Sequence, residues 1–179
     1  MSLVTLTQAK AYLQITGTDQ DTFVTALIVH ASNVIRGLAD ATLEPLAQET
    51  AKVDGGALTL RLPKYPARAV TSVTDLIEEE EVEVEDYFIE SAPAFVRQED
   101  ETKWLPGVLR YEVEYTPGPA AVPGDVQAAT LMVIAALFSS SDQSLSSEKI
   151  GDYAYTRAAQ GAVSQPVLDI MERYRKPGF

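Results

Sequence analysis

The chain has 179 residues, enough for one compact domain or a domain carrying a substantial insertion, with an ordinary globular composition of 46% hydrophobic and 22% charged residues. It contains no cysteine, which excludes disulfides, thiolate nucleophiles and cysteine-based zinc or iron–sulfur sites. Its net charge of −12 lies almost entirely in residues 78–101, where eleven acids face one base, Arg97, while the flanking parts each sum to −1. No basic footprint for gripping nucleic acid is present, and DNA near this chain is repelled rather than bound.

The opening "MSLVTLTQAK" lacks the basic and apolar regions of a signal peptide. Thr5 with Gln8 makes a capping box, and Leu6, Ala9 and Leu13 follow at helical spacing. After a break at Gly17, Asp19 or Asp21 is placed to cap a second helix. Its broad apolar stripe comprises Phe23, Leu27, Ile28, Ala31, Val34, Ile35 and Leu38, and the helix is expected to end near Asp40. A polar connector with Pro45 leads to the turn "DGG" at 54–56.

The apolar period then changes from 3.6 to 2. Leu58, Leu60 and Leu62 share one face of "ALTLRL", and further extended runs follow in "PARAVTSVTDLI", "EVEVEDYFIE" and "AFVRQ". In "GVLRYEVEYT", Leu109, Tyr111, Val113 and Tyr115 share a face. After the rigid loop "TPGPAAVPGD", Asp125 is expected to cap a strongly apolar third helix running to about Ser139. Its run "AATLMVIAALF" is too short to span a bilayer, so the chain reads as soluble with no membrane partner. The stretch "SSSDQSLSSE" reads as a flexible polar linker, and a last helix opens near Ser164 with Pro166 in its first turn. These periods predict an α+β fold. A helical core, 1–56 and 117–179, is interrupted by an inserted antiparallel β-domain, 57–116.

Support for chemistry is thin. His30 is the single histidine, set beside the apolar stripe with no second imidazole to form a dyad. No Walker loop, dinucleotide fingerprint, zinc motif or nucleophile elbow occurs, so no cofactor, metal site or catalytic residue is expected. The carboxylates Glu78, Glu79, Glu80, Glu81, Glu83 and Glu85 could serve general acid–base work or hold Ca²⁺ or Mg²⁺. The smooth alternation of "EEEEVEVE" instead suits a solvated strand face and hairpin whose charges discourage strand addition.

The order of pieces carries more information. "LVTLTQAKAYLQI", the turn "TGTDQD", the helix "LIVHASNVI" and later "YTPGPAAVPGDVQAATLMVIAALF" and "SSEKIGDYAYTRA" together resemble the head–tail connector (adaptor) proteins of tailed bacteriophages, prophages and gene transfer agents. That resemblance covers about two-thirds of the chain and matches 57–116 only in general character. It implies a non-enzymatic structural virion protein at the head–tail interface, assembled in the host cytoplasm. Such proteins form a ring, commonly twelvefold, beneath the portal protein and offer a surface to the stopper or tail-completion protein, with DNA passing nearby without specific binding. On this basis Ile150, Gly151, Asp152, Tyr153 and Tyr155 are expected in a subunit-interface loop. Arg173, Tyr174, Arg175, Lys176 and Phe179 are expected to dock on the portal, aromatics as anchors and cations meeting carboxylates. The competing readings are a head-completion stopper or tail-terminator protein, an acidic DNA-mimic inhibitor, and a metal-dependent hydrolase built on Glu81, Glu83 and Glu85.

Overall fold

The computed structural model describes residues 2–83, 87–91, 94–98, 102–144 and 163–175. The fold is α+β. Among the described residues the helices are α1 (Leu6–Leu13), α2 (Asp21–Leu38), α3 (Gly124–Ser144) and α4 (Gln165–Glu172). The strands are β1 (Glu49–Val53), β2 (Thr59–Arg61), β3 (Ala67–Asp75), β4 (Glu80–Val82), β5 (Tyr87–Ser91), β6 (Ala94–Gln98) and β7 (Tyr111–Pro117). The chain divides into a helical unit, Met1–Asp40 with Val122–Phe179, and a β-unit, Ala41–Ala121.

In the helical unit, the Thr5 hydroxyl accepts from the Gln8 amide at 3.2 Å while the Thr5 amide donates to Gln8 Oε1 at 2.8 Å, closing the capping box that starts α1. The α2 cap differs from expectation. Gln20 holds the cap position without a side-chain bond, and Asp21 is already the first helical residue. Its carboxylate pairs instead with Lys10, tying α1 to α2, while its charge still favours the positive end of the helix dipole. Val24, Leu27, Ile28, Ala31 and Ile35 form the buried stripe of α2, which packs on α1 and α3. The third helix buries Val126, Ala129, Val133, Ile134 and Leu137 and continues through Ser144, so residues 139–144 are helical rather than a linker. Asp125 lies inside its first turn, taking the Val126 amide at 2.9 Å, and so is not the residue before the helix. Val167 and Met171 bury one face of α4 against α3. None of the described helices is long and apolar enough to cross a membrane.

Among the described residues the β-unit holds two antiparallel sheets, ordered β1-β7-β3-β4 and β2-β6-β5. Val53, Val73, Tyr111, Val113 and Tyr115 from the first sheet, Leu60 and Val96 from the second, and Trp104 from the preceding loop share one core. The alternation in β7 is direct: Tyr111, Val113 and Tyr115 are buried while Glu112 and Glu114 are half-buried on the other face. Tyr115 donates to Glu49 Oε1 at 2.7 Å across the β1–β7 pair, and Lys64 also meets Glu49. Burial alone would push Glu49 up, but these two partners outweigh it and hold the carboxyl below its ordinary range. Two leucines depart from the expected faces. Leu58 and Leu109 are exposed, because β2 begins at Thr59 and β7 at Tyr111, leaving both outside the pleat.

Candidate docking surface

One end of the four-stranded sheet has an unusual construction. In the antiparallel register Val53 and Asp75 both face Tyr111, and Glu80 faces Asp75. The exit of β1, the turn 76–79 and the segment 104–110 therefore meet at that end. Arg110 is the clamp. Its guanidinium grips Asp75 through Nε at 2.8 and 3.0 Å and through a terminal nitrogen at 2.7 Å, with both side chains only 8% exposed. It also donates to the Pro106 carbonyl at 3.2 Å and reaches Glu78 at 3.4 Å. Asp75 in turn accepts from the Ile77 and Glu78 amides, at 2.9 and 3.3 Å, which shapes the turn into β4. Burial by itself would raise the Asp75 pKa; the Arg110 bonds and these two amides outweigh it and hold the carboxyl below the usual aspartate range.

The segment 104–110 is fastened along its length. Trp104 donates its amide to Ala57, Leu105 its amide to the Tyr111 hydroxyl at 3.0 Å, and Leu109 its amide to Asp54 at 2.7 Å. Gly55 and Gly56 donate to the carbonyls of Gly107 and Trp104, each at 2.9 Å. A Cβ on Gly55 would stand 2.0 Å from the Leu105 carbonyl oxygen and 2.8 Å from the Tyr111 ring, so no side chain fits there without moving the segment. Gly55→Ala is therefore expected to cost on the order of 1–3 kcal/mol, read as a lower urea midpoint. An unchanged midpoint would show that the segment is free to shift.

This rigid frame holds apolar side chains out into solvent. Val108 is 85% exposed, Ile77 61%, and Leu105 and Leu109 53% each. Leu109 has a φ of +49°, a left-handed conformation that a leucine adopts only when its surroundings impose it. Glu78, Glu79, Glu80, Glu81 and Glu83 are exposed in the adjoining turn and strand. The expected acidic surface is thus present over its described part; Glu85 lies outside the described residues. Composition alone pointed to the carboxylates but not to the apolar tip beside them. Its residues look like core in one dimension, and only the long-range pairs Asp75–Arg110 and Asp54–Leu109 reveal otherwise.

The remaining expected site residues fall in the helical unit. Tyr174 is half-buried and donates its hydroxyl to Asp125 at 2.7 Å, while its carbonyl accepts from the Asp40 amide at 3.1 Å. Burial, reinforced by the Asp125 carboxylate, raises its phenol pKa to about 12. Tyr174 thereby fastens the end of α4 to α3 and to the end of α2. Arg173 lies 3.7 Å from Asp125 and is largely exposed, as is Arg175. Lys176, Phe179 and the residues expected in an interface loop, Ile150, Gly151, Asp152, Tyr153 and Tyr155, lie outside the described residues. His30 is half-buried with Nε2 unpartnered. Among the described residues no group of three or more His, Cys, Asp or Glu is placed to hold a metal ion.

No curated protein matches the sequence. Several solved chains share its fold, among them the following three. One, from "Neck of empty GTA particle computed with C6 symmetry", aligns with a TM-score of 0.60 at 17% identity, over 99% of this chain and 91% of that one. A second, from "Virion of native gene transfer agent (GTA) particle", gives 0.52 at 20% identity over 99% and 91%. A third, from "Neck of native GTA particle computed with C12 symmetry", gives 0.52 at 16% identity over 100% and 96%. The family described as head completion protein matches residues 2–177, nearly the whole chain. That span sets aside the hydrolase and DNA-mimic readings, and the chain belongs to the head completion protein family, with a structural rather than an enzymatic part in the virion.

Proposed function

We propose that the chain is the head–tail adaptor of its particle. In this reading, copies form a ring, twelvefold as the resemblance suggests, beneath the portal protein, and the ring receives the stopper or tail-completion protein. The family match over residues 2–177 supports a structural part at the head–tail junction, the ground on which the adaptor reading stands. Two features support adaptor over stopper or tail terminator. Among the described residues one unit of the chain is built of helices, where a stopper or terminator is expected to be β-dominated. The shared fold with chains from particle necks computed with sixfold and twelvefold symmetry supports a ring. The segment carrying Ile150, Gly151, Asp152, Tyr153 and Tyr155 is assigned to contacts between subunits, and the terminal residues Arg173, Arg175, Lys176 and Phe179 to the portal.

The deciding experiment mixes purified chain with purified portal. An adaptor binds portal alone, whereas a stopper binds only after another protein has covered it. Tyr174 belongs to the internal fastening of α4, so a clean terminal variant ends the chain after residue 175 and carries Arg175→Glu. That variant is expected to fold normally and to lose portal binding by about tenfold or more, as removal of an interface anchor with its charges does. Undiminished portal binding would refute the terminal assignment.

A further inference from the structure

We infer that the apolar tip formed by Ile77, Leu105, Val108 and Leu109 is the docking surface for a second neck protein, the one through which heads join tails. That protein would offer an apolar recess bordered by arginine or lysine; the occupant is not a second copy of this chain. The inference rests on the reading of this chain as a neck protein and adds to it the surface and the chemistry of its partner.

Three observations converge on the tip. Its apolar side chains stand more than half exposed together at one sheet end, where scattered single exposures would be unremarkable. They are also held rigidly: the segment spends its polar groups on Asp54, Gly55, Gly56, Ala57, Tyr111 and Arg110, and Leu109 is kept in a left-handed conformation. A surface already fixed in its binding shape loses little conformational entropy on docking. Residues held in such sparsely populated backbone conformations cluster at active sites, ligand clamps and switch regions.

Charge identifies the occupant. Glu79, Glu80, Glu81 and Glu83 are exposed beside the tip, and Glu78 reaches Arg110, whose charge is already engaged by Asp75. Lys103, at the start of the loop segment, is exposed but is outnumbered by these carboxylates. Two such tips brought together would set like charges against each other, which disfavours a tip-to-tip contact between copies. A neighbouring copy meeting the tip with another face is the outcome that copy number on heads reads. A basic rim around an apolar recess complements both parts, the cations meeting the carboxylates and the recess accepting Val108 and Leu109.

The test uses heads and tails of the particle, prepared separately and joined in vitro, with heads carrying either native chain, Val108→Asp or Leu109→Asn. Neither change should disturb the fold, because Val108 is 85% exposed and asparagine tolerates the left-handed conformation at position 109. Expected are heads that carry the variant at the native copy number yet join tails at least about tenfold less, the change that about 1.4 kcal/mol of lost contact gives. The double variant Glu79→Gln, Glu80→Gln should weaken joining and flatten its dependence on salt. Native joining efficiency in both apolar variants would overturn the inference. A reduced copy number on heads would also overturn it, by showing that the tip meets a neighbouring copy. If heads lacking the chain altogether join tails normally, the neck reading itself fails, and the two failures are thereby told apart.

Discussion

Replacing Trp104 with alanine is expected to destabilise the β-unit by about 3–5 kcal/mol, the loss typical of emptying a buried aromatic site. Trp104 is fully buried, and it contacts both layers of the unit. Its indole nitrogen donates to the Val96 carbonyl in β6 at 3.1 Å, and its ring meets Tyr111 of β7 edge-on, with centroids 5.0 Å apart. Alanine would open a cavity between the two sheets and leave that carbonyl without its donor. The midpoint of thermal unfolding should fall by on the order of 10 °C. Trp104→Phe keeps an aromatic ring beside Tyr111 but still loses the donor, and so should cost less, about 1–3 kcal/mol. As the only tryptophan, residue 104 also makes native fluorescence a reporter of the β-unit. A loss under about 1 kcal/mol for the alanine variant would mean that the two sheets do not depend on this side chain.

The helices were legible because each carried a local signal: the Thr5–Gln8 box, the α2 stripe, and the proline in the first turn of α4. The change of period marked most strands equally well. The first strand escaped because "ETAKV" places only Ala51 and Val53 toward the core and pairs along one side with β7; its partner Tyr115 lies over 60 residues away. The end of α3 is hidden in the sequence by the serines at 139–141, whose weak helix preference does not stop a helix already established by packed turns. Alternation with Tyr111 points Leu109 inward in the sequence. The alternation begins only at Tyr111, because Arg110 is turned toward Asp75 and the backbone at 109 is left-handed. The docking tip was illegible for the same reason. Its exposure depends on contacts 35 and 55 positions apart, and no local pattern separates a leucine held out by such contacts from one in a core.

The Asp75–Arg110 pair should show the strongest coupling of any two side chains at the tip. Asp75→Asn keeps the shape but leaves the buried guanidinium with only the exposed Glu78, 3.4 Å away, as counter-charge, and Arg110→Met leaves the Asp75 carboxylate buried without a cation. Each single change is expected to lower the unfolding midpoint by on the order of 10 °C, because breaking a buried pair from one side strands an uncompensated charge. The double variant Asp75→Asn, Arg110→Met removes both charges and should recover part of the loss, so the two effects are far from additive. Acid should mimic the Asp75 variant. The carboxyl is held below its ordinary range in the folded chain, so its contribution is fully present above about pH 4, the unfolded value, and disappears as pH falls through the lower folded value. Native stability should therefore decline below about pH 4, while Asp75→Asn should show a shallower decline over the same window. The tip depends on the same clamp through Pro106 and the Ile77 and Glu78 amides, so tail joining by the Asp75→Asn particle should fall even at temperatures where the chain stays folded. Additive single and double variants, or parallel acid profiles for native chain and Asp75→Asn, would show that the pair does not act as a unit.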